Sequence, residues 1–96
     1  MSAQHYRHLW NSVYGGDFTF WWGAIQHDSY VVVTVAEAAT SPQVPAKFIG
    51  AAKMTVKSIA PQDGYVWFNI DTAWGSPLNI WTDITVFDPT DPSGYN

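Results

Sequence analysis

Apolar and polar side chains alternate along two stretches late in the chain. Over 65–71, Val66, Phe68 and Ile70 interleave with Tyr65, Trp67, Asn69 and Asp71. Over 78–87, Leu78, Ile80, Ile84 and Val86 alternate with Asn79, Trp81, Asp83 and Thr85. A period of two marks a β-strand with one buried face. The pattern recurs upstream, where Ala52, Met54 and Val56 alternate with Lys53, Thr55 and Lys57, so the lysines define a wet side. Val31, Val33 and Val35 oppose Tyr30, Val32 and Thr34, a nearly two-sided apolar run that predicts a central strand. In "FTFWWG" (18–23), Phe18, Phe20 and Trp22 share a face assigned to the core, and Thr19 and Trp21 share the other.

Breakers separate these runs. "GGD" (15–17), "QHDS" (26–29), "TSPQVPA" (40–46), "APQDG" (60–64) and "WGSP" (74–77) read as turns or loops. "VAEAAT" (35–40) has helical propensity, but Ser41-Pro42 limits it to a single turn. Six strands follow, near 6–14, 17–22, 30–37, 51–59, 65–73 and 78–87. The predicted fold class is all-β, a six-stranded antiparallel β-sandwich or small barrel. Gly15-Gly16 suits a tight hairpin between the first two strands, and Trp74–Pro77 a second one between the last two. Residues 1–88 are expected to form a single domain, and the Pro- and Asp-rich 89–96 a flexible tail.

Composition narrows the function classes. The 96 residues are 47% hydrophobic, 17% aromatic and only 12% charged. So much aromatic area must be core or meet a partner. The formal net charge is −4, and Arg7, Lys47, Lys53 and Lys57 are the only basic residues besides histidine. That is too few for a duplex footprint, so no nucleic-acid partner is expected. The longest apolar stretch, Tyr30 to Ala36, is too short for a membrane span. Cysteine is absent, which removes disulfides and thiolate-ligated zinc. "MSAQHYRHLW" lacks the plan of a signal peptide, so the expected location is cytoplasmic, or outside after export without a cleaved leader.

The candidate site comes from register. A hairpin of the last two strands would set Asp71 opposite Trp81, Asn69 opposite Asp83 and Trp67 opposite Thr85. Trp67, Asn69, Asp71, Trp81 and Asp83 would then form one outward patch. Sugars need this mixture, because their C–H faces stack on aromatic rings while their hydroxyls pair with carboxylates and amides. By analogy with base stacking, one such ring is worth about 1–3 kcal/mol. Trp21, with Tyr14 and Asp17 across the glycine turn, makes a second, smaller candidate. The same patches could equally be subunit interfaces or covered core, since Trp and Tyr are enriched at interfaces too.

The stretch "YVVVTVAEAA…GAAKMTVKSIAPQDGYVWFNIDTAWGSPLNIWTDITVFD" (30–88) resembles the H-type lectin family, chiefly through Val56–Gly64 and Val66–Trp74. The resemblance implies a six-stranded antiparallel sandwich, assembly as a trimer or hexamer, and N-acetylgalactosamine-type sugars bound at subunit clefts. That family commonly places a polar, sugar-contacting residue after its late Trp, whereas here Gly75 follows Trp74.

Other chemistry is weakly signalled. His5 and His8 differ in parity, so a strand sends them to opposite faces. His27-Asp28 is a common loop neighbour pair. Asn69, Asp71 and Asp83 supply oxygens that could take Ca²⁺, but no ligand-loop spacing accompanies them. No cofactor is expected otherwise. No serine sits in a GxSxG elbow, and Asp71 with Asp83 as a glycosidase pair would lack a deep cleft. The expectation is a non-catalytic, glycan-binding, self-associating module. The alternative is an assembly subunit whose aromatic faces only join copies into a homo-oligomer.

Overall fold

A computed structural model describes residues 3–38, 47–48 and 53–87. Among these there is no helix, and hence none long and apolar enough to cross a membrane. The strands are β1 (Ala3–Val13), β2 (Gly16–Trp21), β3 (Tyr30–Ala38), the two-residue β4 (Lys47–Phe48), β5 (Thr55–Gln62), β6 (Tyr65–Asp71) and β7 (Leu78–Phe87). They form two antiparallel sheets, ordered β1-β7-β3-β4 and β2-β6-β5. The six longer strands bear out the all-β expectation, and β4 adds a short edge.

The inward residues are the ones that alternation predicts. Phe18, Val66, Phe68 and Ile70 from the smaller sheet meet Val33, Ile80, Ile84 and Val86 from the larger one. Ile25, from the β2–β3 connection, plugs the same core at 1% exposure. Met54 and Val56 pack against it, whereas Ala52 lies outside the described residues. So do "TSPQVPA" and the tail 89–96. Val35–Ala38 continues β3 as strand rather than turning helical. "APQ", expected in a turn, belongs to β5, where Pro61 is tolerated because β5 is an edge strand.

Strand pairing departs from expectation twice. β1 does not pair with β2; it pairs with β7, and β2 pairs with β6. Nor does β6 pair with β7, which instead runs between β1 and β3. Both connections cross from one sheet to the other. The physical reason lies in the apolar faces. Laid side by side, β1 and β2 would present one aromatic surface still in need of cover; crossing over buries each against the other. Tyr6, His8 and Trp10 of β1 accordingly meet Phe18, Phe20 and Trp22, with ring centroids 5.0–6.0 Å apart. Burial lowers the His8 pKa by disfavouring its charged form.

The Trp10 indole N–H donates to Thr82 Oγ1 at 2.9 Å, which satisfies it within this seam. Thr82 is fully buried. Replacing it by Val leaves the part-buried N–H without that acceptor. Thr82→Val is expected to cost about 1 kcal/mol, and less in a Trp10→Phe background, as read by urea unfolding of the double-mutant cycle.

A true hairpin joins β5 and β6 through Asp63-Gly64, with Gly64 at φ 87°. Gly64 also accepts from the Trp22 N–H at 3.0 Å and donates to Ile25 O at 2.8 Å. Here His27 pairs with Asp63 rather than with its neighbour Asp28. Its backbone N–H donates to Asp63 Oδ1 at 2.9 Å, and its ring Nδ1 lies 2.8 Å from the same oxygen. The Asp63 side-chain bond, then its charge, raise the His27 pKa; the backbone bond from His27, then its ring, lower that of Asp63. The raised His27 pKa stabilises the fold fully below 6.5 and loses that effect as pH rises through the folded value. The lowered Asp63 pKa stabilises above 3.8 and loses its effect as pH falls through the folded value. The charged clip therefore operates between these limits. An NMR titration is expected to place the His27 midpoint above 6.5 and to return it towards that value in Asp63→Asn.

Candidate functional site

The outer face of the β2-β6-β5 sheet gathers most of the predicted site residues. Asp17 pairs with Asn69, Thr19 with Trp67 and Trp21 with Tyr65. On the other side of β6, Ser58, Ala60 and Gln62 face Asn69, Trp67 and Tyr65. Because Val66, Phe68 and Ile70 point into the core, Tyr65, Trp67, Asn69 and Asp71 point out. The two patches expected separately, Trp67/Asn69/Asp71 and Tyr14/Asp17/Trp21, thus lie together.

Trp81 and Asp83 do not join them. They lie on the outer face of the opposite sheet, because β7 pairs with β1 and β3. Trp81 is only 8% exposed there, between Leu9 and Ala36 in register. Asp83 is engaged with β1: the Arg7 Nε–H donates to its Oδ1 at 2.7 Å, and His5 Nε2 is 2.9 Å from that oxygen. This hydrogen bond and charge raise the Arg7 pKa. His5 is thereby outside and His8 inside, as their parity predicts. The five-residue hairpin patch does not exist in this fold. Asn69, Asp71 and Asp83 are likewise not assembled into a Ca²⁺ site, and Asp71 and Asp83 cannot flank one glycosidic bond. Among the described residues no group of three or more His, Cys, Asp or Glu could hold a metal ion.

Three aromatic positions succeed one another along the exposed face. At one end Trp21, 72% exposed, lies with its ring centroid 4.6 Å from that of Tyr65. Trp67 comes next, half-buried between the small side chains of Thr19 and Ala60. At the far end, Tyr14 and Trp74 line a cleft of about 530 Å³ floored by Asn69, Asp71 and Lys57. Trp74 directly follows a non-glycine residue at positive φ, Ala73 at 50°, and Tyr14 comes two residues after another, Ser12 at 51°. Such a conformation costs about 1–2 kcal/mol per residue. It is held by side-chain acceptors: Asn79 Oδ1 takes the Ser12 N–H and Asp71 Oδ1 takes the Ala73 N–H.

Polar groups between the aromatics are oriented in advance. Asn69 Nδ2 donates to Asp17 Oδ1 at 2.8 Å, a bond that leaves the amide oxygen and the second carboxylate oxygen out of it. Lys57 Nζ lies 3.4 Å from Asp71 Oδ2. The Ala73 N–H, followed by Lys57, holds the Asp71 pKa below its usual value, so the carboxylate is ionised at neutral pH. Lys57 reaches it from a β-bulge, since Val56 faces Ile70 and Ser58 faces Asn69 with Lys57 between them.

Lys57, Tyr65 and Trp74 were absent from the expected site. Tyr65 shares the parity of Trp67 and was legible. Lys57 and Trp74 depend on the bulge and the crossover, which alternation does not encode. No family model matches the chain, and no curated protein or solved structure matches it either.

Proposed function

We propose that this chain is a non-catalytic carbohydrate-binding module whose ligand lies on the outer face of the β2-β6-β5 sheet. The supporting observation is the gathering of Trp21 and Trp67 with Asp17, Asn69 and Asp71 on one rigid face. Exposed aromatic area on this scale calls for a partner. The Asn69–Asp17 pair favours a hydroxyl-rich partner, because its hydrogen bond uses only the amide nitrogen and one carboxylate oxygen and holds the remaining oxygens beside the rings. The site is shallow, so self-association of the chain supplies avidity. The trimer or hexamer implied by the H-type lectin resemblance is one way to present several copies.

A glycan array probed with wild type and Trp67→Ala tests the reading. Wild type is expected to retain neutral sugars, and the variant to lose at least about fivefold in affinity, the lower end of a stacking contribution. Failure of wild type to retain any sugar would refute it. The second reading, an assembly subunit, draws on Trp21, which at 72% exposure is a natural interface anchor. Size-exclusion chromatography of Trp21→Ala separates the two. An oligomer that dissociates, with no sugar ever bound, favours assembly; one that persists while sugar binding is lost favours carbohydrate recognition.

A further inference from the structure

We infer that the ligand is a linear, neutral oligosaccharide lying lengthwise along β6 rather than a single terminal sugar; this rests on the carbohydrate reading above. Geometry carries it. Tyr65 and Asp71 stand six residues apart on one strand, a run of about 20 Å at the usual strand rise. That is several times the width of one pyranose ring. Aromatic contacts stand at both ends and in the middle: Trp21 with Tyr65, then Trp67, then Tyr14 with Trp74 at the cleft. Beyond Trp67, Asn69 with Asp17 and then Asp71 with Lys57 continue the strip, and Asn69, Asp71 and Lys57 form the floor of the cleft. A monosaccharide would use one of these positions and leave the others idle. A chain of equatorially linked sugars presents a flat C–H face at repeated intervals with hydroxyls along its edges, as the strip requires.

Charge argues for a neutral chain. Asp71 is countered by Lys57, Asp17 brings a further negative charge, and the protein as a whole carries −4. An acidic polysaccharide would meet repulsion, and a cationic one would have to displace the lysine.

Isothermal titration with glucose, cellobiose, cellotetraose and cellohexaose, and with the matching chitin series, tests this. Affinity for at least one series is expected to rise with length. Trp21→Ala and Trp74→Ala, at opposite ends, should each weaken the hexasaccharide about tenfold while leaving the disaccharide within about twofold for at least one of them. Both side chains are exposed, and unchanged unfolding curves will confirm that the variants fold. If the monosaccharide binds as tightly as the hexasaccharide, or only branched glycans on the array bind, the lengthwise mode is wrong and carbohydrate binding stands. If no saccharide of any length or branching binds, both fall together.

Discussion

Phe68→Ala is expected to destabilise the protein by about 3–5 kcal/mol, the range for removing a buried phenyl ring. Phe68 has no exposed surface and sits at the middle of β6, itself the middle strand of its sheet. Its ring stacks on Phe18 at 5.7 Å and 5° between planes, and meets the edge of Trp10 at 6.4 Å and 79°. The truncation therefore opens a cavity where both sheets and the aromatic seam converge. A domain of this size has roughly 5–15 kcal/mol to lose, so the variant will be marginal. Each kcal/mol should lower Tm by roughly 4–8 °C. Urea unfolding should show a lower midpoint with an unchanged slope, and Phe68→Leu, which removes less volume, should cost less than the alanine variant. A loss below 1 kcal/mol for the alanine variant would mean that the core lies elsewhere.

Gly15→Ala carries the second large effect, through the backbone. A Cβ at Gly15 would stand 2.8 Å from the Ile70 carbonyl oxygen and 3.0 Å from the Thr72 nitrogen. Neither atom can swing aside as a side-chain tip would. The β1–β2 crossover passes that closely over the end of β6, and the same residues wall the cleft. The expected cost is about 1–3 kcal/mol, together with weaker saccharide binding at the Tyr14–Trp74 end. Gly75→Ala is the control. A Cβ there meets nothing within 4 Å, and Gly75 does not have positive φ, so its melting curve should nearly overlay that of wild type.

The two variants probe different levels of legibility. The importance of Phe68 could be read from alternation, because a period of two sorts each strand into an inward and an outward set whatever its neighbours are. His5 and His8 were likewise separated by parity alone. The constraint on Gly15 could not be read in this way. Gly15-Gly16 satisfies a tight hairpin and a sheet-to-sheet crossover equally well, and only packing of Trp10 on Phe18 and of Tyr6 and His8 on Phe20 across the seam distinguishes them. Lys57 is exposed, as its place on the wet side of the strand predicts. The single extra residue in β5 nonetheless reverses the parity beyond it, so that Ser58, Ala60 and Gln62 face the outward residues of β6. Composition carries no trace of that bulge.

Strand character, the inward residues and the outward set of β6 were determined by the sequence alone, since they depend only on side-chain chemistry at alternate positions. Which strands lie next to one another was decided by tertiary structure, because pairing follows from the joint burial of distant apolar faces. That decision took Trp81 and Asp83 to the far sheet and brought Tyr14, Asp17 and Trp21 to Trp67, Asn69 and Asp71.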